Sequence, residues 1–94
     1  MRVVSRPRLR EFWQQHPQAE APLAAWYKIA DRAEWKHLKD VRSVYPSADA
    51  VGELTVFNIG GNDFRLVTRI VYVHHLIYVV GVLTHAEYDK RKKW

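Results

Sequence analysis

An α+β fold is what this chain predicts: a small antiparallel β-sheet packed against an N-terminal helical hairpin, with a short helix at the C-terminal end. Three observations predict it. Up to about residue 45 the apolar residues recur every three or four positions, the period of a helix face. From Leu54 to Leu83 they form long β-branched and aromatic runs broken by turn signals, the pattern of strands. After Leu83 the apolar run stops, and Thr84-His85-Ala86-Glu87 has the spacing of a capping box.

Composition sets the outer bounds. Ninety-four residues make one domain, taken as 1–94, with one core. The 48% hydrophobic and 13% aromatic content supports a packed core and excludes a disordered chain. Fifteen Lys and Arg against ten Asp and Glu give a net charge of +5, which points to a polyanion or an acidic partner. There are no cysteines, so neither a disulfide framework nor a thiolate metal site is expected. No apolar run approaches the roughly 18 residues that a membrane span needs. Met1-Arg2-Val3-Val4 is too short for a signal-peptide core, and arginines soon follow it. A cytoplasmic location with no membrane partner is therefore expected. Four Trp are many for this length, and some are expected on a surface that another molecule covers.

In chain order, Arg2 to Ser5 reads as a short edge strand ended by Pro7. Ser5 is a candidate N-cap for a first helix that puts Leu9, Phe12 and Trp13 on one face and breaks at His16-Pro17. A second helix spans about Gln18 to Glu34, with Leu23, Trp26, Tyr27, Ile29 and Ala30 as its apolar stripe. Leu38, Val41, Val44 and Tyr45 suggest a short third helix, and Pro46 to Asp49 a loop. Val51-Gly52-Glu53 leads into strands over Leu54–Ile59, Phe64–Val73 and Leu76–Leu83, the last two joined at His74-His75.

Several clusters carry chemistry. Gly60-Gly61-Asn62-Asp63 is a turn signal. On residue types its glycines suit an ordinary hairpin first, and the close approach of another backbone second. Arg65 and Arg69, four apart in a strand, share a face with Val67 and Val71, while Phe64, Leu66, Ile70 and Tyr72 make the better core face. Such a pair suits either a solvated surface or a phosphate. His74-His75 is not a metal pair, because adjacent strand residues point to opposite faces and no third ligand is spaced to join them. On the last helix His85 can touch both Tyr88 and Asp89, in a cluster with Glu87 and Lys90. A proton carrier beside a carboxylate suits acid–base chemistry, and the same residues suit a solvated polar helix face. No nucleophile elbow, phosphate loop or dinucleotide fingerprint is present, so no cofactor is expected.

The run Val56-Phe57-Asn58-Ile59-Gly60-Gly61-Asn62-Asp63-Phe64-Arg65-Leu66-Val67, joined to Leu83-Thr84-His85-Ala86-Glu87-Tyr88-Asp89, resembles the HigB family of bacterial type II toxins. The stretch Leu38 to Asp49 matches the same pattern, so the resemblance is best from about Leu38 onward. It implies a RelE-like fold and an mRNA interferase that acts on translated mRNA in the ribosome. It also implies silencing by a HigA-type antitoxin, with operator DNA reached only through that complex. For such chemistry without a metal, the RNA 2′-OH serves as nucleophile. A base, an acid and a cation on the phosphate are then needed. His85 is the candidate proton carrier and Asp89 its tuner. Arg65 is the candidate phosphate clamp, supported by Arg69 or Lys90. Tyr88 suits stacking on a base or bonding the phosphate. Asn58, Asn62 and Arg91 are candidate RNA contacts. A non-catalytic RNA- or protein-binding module on the same fold is the alternative expectation.

Overall fold

The computed structural model describes residues 1–90. Its strands are β1 (Arg2–Val4), β2 (Asp49–Val51), β3 (Leu54–Ile59), β4 (Phe64–Val71) and β5 (Leu76–Thr84); its helices are α1 (Pro7–Gln15), α2 (Glu20–Arg32), α3 (Leu38–Val44) and α4 (His85–Lys90). One sheet holds the strands in the order β1-β5-β4-β3-β2. Its pairs are antiparallel except β1 with β5, where Val3 stands beside Ile77 in parallel register. This α+β architecture, with an N-terminal helical part and a short C-terminal helix, is a RelE-like fold.

The pleat sorts the sheet into two faces. Phe57 and Ile59 on β3, Phe64 and Leu66 on β4, and Ile77 and Val79 on β5 are buried against Leu9, Leu23, Trp26 and Ala30 of α1 and α2. Trp26 and Tyr45 meet Phe57 edge-on at 5.4 Å, and Trp35 stacks on it at 6.3 Å. Thr68 is buried on this face as well, and its hydroxyl donates to the Thr55 carbonyl at 2.7 Å. The opposite face carries Val56 and Asn58, and across from them Val67 and Arg65.

Where the structure departs from the sequence reading, local physics explains why. Ser5 does not cap α1 with its side chain. It adopts a left-handed φ of 68°, and its carbonyl accepts the Arg8 N–H at 3.0 Å. The second helix is shorter than Gln18–Glu34, because Pro17–Ala19 forms a tight 3₁₀ turn before it and Ala33 is extended after it. Within its stripe Ile29 is 40% exposed. The long strand stops at Val71, not Val73, since Tyr72–His74 winds into a 3₁₀ turn closed by His75 at φ 55°. Strand β2 is added ahead of β3 by a turn at Gly52, whose φ is 60°. Trp26 and Trp35 are core residues, 0% and 4% exposed, and so cannot form a covered surface.

One irregularity fixes the end of β5. Thr68 pairs with Val79 while Val67 pairs with Gly81, which leaves Val80 as an extra residue in a β-bulge. The Val80 carbonyl, turned out of the ladder, accepts the Arg8 guanidinium of α1 at 2.7 Å.

Candidate active site

The site is assembled where β3, β4 and β5 end together. Gly60 and Gly61 take φ values of 62° and 68°, so the loop from β3 to β4 needs residues without a Cβ penalty there. A Cβ on Gly60 would also lie 3.3 Å from Phe64 Cδ2. Phe64 is locked into the core by Phe12 at 5.5 Å and His16 at 6.1 Å, both edge-on. Since Phe64 points inward, Arg65 points to the opposite face, across from Asn58.

Thr84 closes β5 opposite Phe64 and is at the same time the N-cap of α4. Its hydroxyl accepts the Glu87 N–H at 3.1 Å, and the Glu87 carboxylate accepts the Thr84 N–H at 2.9 Å, a complete capping box. No linker separates strand from helix, so His85 falls directly over the β3–β4 loop. Its N–H donates to the Asp63 carbonyl at 2.8 Å. Thr84→Ala should cost about 1 kcal/mol of stability. It should also raise amide exchange selectively in α4, as read by hydrogen exchange.

The side chains then converge. His85 Nδ1 lies 2.8 Å from the Asn62 carbonyl, and Nε2 lies 2.9 Å from Asp89 Oδ2, one helical turn on. A carbonyl can only accept, so Nδ1 carries a proton in this arrangement. Arg65 Nη1 donates to the Asn62 and Phe64 carbonyls at 3.1 and 3.2 Å. Its Nη2 stands 3.3 Å from His85 Nδ1. With the Nδ1 proton committed to Asn62, that last approach is a contact between two donors rather than a hydrogen bond. The Asn62 carbonyl thus ties the arginine and the histidine together. The Arg65 guanidinium also lies 6.0 Å from the Tyr88 ring centre, at the outer reach of a cation–π contact. His85 and Asp89 remain open to solvent, 46% and 62% exposed at the side chain.

Next to Arg65 the sheet face opens into a groove of about 330 Å³, lined by Val56, Asn58, Arg65, Tyr88, Arg42 of α3 and the Pro46 to Asp49 stretch. Helix α3 reaches both sides of the sheet. Val41 and Tyr45 pack into the core, while Arg42 lines the groove. The start of α3 is fixed by Asp40, whose carboxylate accepts the Lys36 N–H at 2.9 Å. That bond, with His37 at 3.6 Å in support, holds the Asp40 carboxyl below the usual range.

Of the residues singled out from the sequence, His85, Arg65, Tyr88, Asp89 and Asn58 come together here. Asn62 contributes its backbone carbonyl. Arg69 shares the face but stands four residues along β4, opposite Tyr78 and away from the groove. Lys90 is exposed at the end of α4. Arg91 and the rest of the basic tail to Trp94 lie outside the described residues. Sequence reasoning attaches no role to Arg42 or Asp49. Helical spacing marks only the inward residues of α3, and the resemblance over Leu38 to Asp49 covers the outward ones without giving them a role. Among the described residues, no helix is long and apolar enough to cross a membrane.

An arginine and a histidine fixed by one carbonyl, on the open face of a five-stranded sheet, define a RelE-like protein with a polar, cationic site. The chain belongs to the HigB toxin family: residues 19–91 match the model of the RelE-like toxic component of a toxin–antitoxin system. That match reaches back through α2, further than the resemblance from Leu38. Among named relatives, the "mRNA interferase toxin HigB" of Escherichia coli K12 is 29% identical over 92 residues, covering 95% of this chain and 88% of the relative. The "mRNA interferase HigB" of Escherichia coli O6:H1 is 24% identical over 97 residues, covering 100% and 94%.

Proposed function

We propose that this chain, acting as one unit, is an endoribonuclease that cleaves translated mRNA on the ribosome, needs no metal, and is silenced by a HigA-type antitoxin. The observation that carries the reading is the Arg65–His85 pair on the Asn62 carbonyl, a phosphate clamp beside a proton carrier. The relatives named mRNA interferases support the substrate.

In the reaction, the 2′-oxygen loses its proton and bonds to phosphorus, and the bond from phosphorus to the 5′-oxygen breaks. The departing oxygen takes up a proton. The products are a 2′,3′-cyclic phosphate and a 5′-hydroxyl. Arg65 neutralises the extra charge on the phosphate oxygens in the transition state. His85 moves a proton through Nε2. Nδ1 is committed to a backbone carbonyl, whereas Nε2 faces an exposed carboxylate that can turn aside. Asp89 orients the ring through that contact. Tyr88 offers an aromatic face to a base. Asn58, Asn62, Arg69 and Lys90 make supporting RNA contacts, with Arg91 in the same role.

Expression of the wild type should arrest growth and create new mRNA ends bearing 5′-hydroxyls, mapped by primer extension with and without phosphorylation. Cleavage should survive chelation of divalent ions in a ribosome assay that tolerates it. His85→Ala should lower the cleavage rate by about a hundred- to a thousandfold with the fold intact by circular dichroism. Ribosome or RNA binding by the wild type with no new ends would instead identify a non-catalytic binding module.

A further inference from the structure

The groove beside Arg65 is lined by a second cation, Arg42. Arg42 Nε donates to the Ala48 carbonyl at 2.9 Å, which fixes the side-chain stem. Its Nη2 lies 3.9 Å from Asp49 Oδ1, too far for a hydrogen bond. The guanidinium is therefore held in place while its outer donors stay available to a better acceptor, and the side chain is 48% exposed. Arg65 bounds the same space, and Asn58 and Tyr88 line it. At about 330 Å³ it sits at the small end of the range for small-ligand sites, roughly 300–1,000 Å³, which suits one nucleoside and not a folded RNA element.

An RNA strand presents a phosphate on each side of every nucleoside. We propose that this groove seats the nucleoside next to the cut phosphate, with Arg65 on that phosphate and Arg42 on the following one. The proposal rests on reading the site as a ribonuclease. Asn58, directly across from Arg65, presents an amide to the edge of the base, and Tyr88 an aromatic face. The Asp49 carboxylate competes with the second phosphate for Arg42. Two guanidinium groups lining one groove would make the site a reader of successive phosphates, and so of single-stranded RNA.

The test uses the purified full chain, titrated with adenosine 3′,5′-bisphosphate, adenosine 5′-monophosphate and inorganic phosphate, and followed by calorimetry. The wild type should prefer the bisphosphate over the monophosphate by about tenfold, the worth of one charge-assisted contact. Arg42→Ala should abolish that preference, bringing the bisphosphate down to the affinity of the monophosphate. A preference that survives Arg42→Ala overturns the proposal. Should Arg42→Ala unfold through loss of the Ala48 contact, Asp49→Asn carries the test. It removes the competing carboxylate, and the bisphosphate should bind about two- to fivefold tighter. Unchanged or weaker binding by Asp49→Asn overturns the proposal. Cleavage of translated mRNA by the same preparation separates the two readings. Cleavage without an Arg42-dependent preference sinks the groove alone, while the preference without cleavage sinks the ribonuclease reading and leaves a nucleotide site.

Discussion

Replacing Arg65 by alanine should lower mRNA cleavage by about a hundred- to a thousandfold, the usual cost of losing one preorganised charge on a transition state. The same change should remove two hydrogen bonds to the Asn62 and Phe64 carbonyls, both partly or fully open to solvent. That costs about 1 kcal/mol in stability. For a chain of this size the melting temperature should fall by about 4–8 °C, leaving the protein folded at growth temperature. Arg65→Lys should recover only a small part of the activity. A single ammonium cannot hold the Asn62 carbonyl and grip a phosphate with a flat pair of donors at once. Single-turnover cleavage on programmed ribosomes measures both variants. Activity within threefold of wild type for Arg65→Ala would remove Arg65 from the chemistry.

The largest loss of stability is expected at Phe57, where Phe57→Ala should cost about 3–5 kcal/mol. The ring is fully buried and lies at the centre of the packing between sheet and helices. Trp26 of α2, Tyr45 after α3 and Trp35 between them all contact it. Alanine would leave a void that three large, differently anchored rings cannot close together. Small domains hold about 5–15 kcal/mol in total, so the variant should be marginal at 37 °C. Urea unfolding should show a lower midpoint with an unchanged slope. A change below 1 kcal/mol would mean that α2 and α3 do not share one core with the sheet.

What the sequence made legible follows from the range of the forces involved. Local rules were enough for the capping box at Thr84, for the glycine turn at Gly60 and Gly61, and for the two faces of β4. Their outcome is decided within about four residues. The meeting of His85 with Arg65 depends on one hairpin closing, and the short turn at His74 and His75 made that pairing readable. Long-range partners were not readable. The parallel pairing of Arg2–Val4 with β5 joins segments more than seventy residues apart. Burial of Trp26 and Trp35 depends on α2 crossing the sheet, which composition cannot report. The place of Arg42 in the groove depends on α3 standing where it can serve both faces.

The bulge at Val80 sets the phase of the last strand. A regular ladder continued from Ile70 and Ile77 would put Phe64 opposite Leu83, one residue short of its observed partner Thr84. Every side chain from Gly81 onward would then change sides, as in a reading frame slipped by one letter. Leu83 would turn to the core, and the histidine would meet the loop from the wrong direction. Arg8, on the far helical layer, holds the carbonyl of the one residue that absorbs the slip. The alignment of His85 with the loop before Arg65 is thereby written into the first helix of the chain.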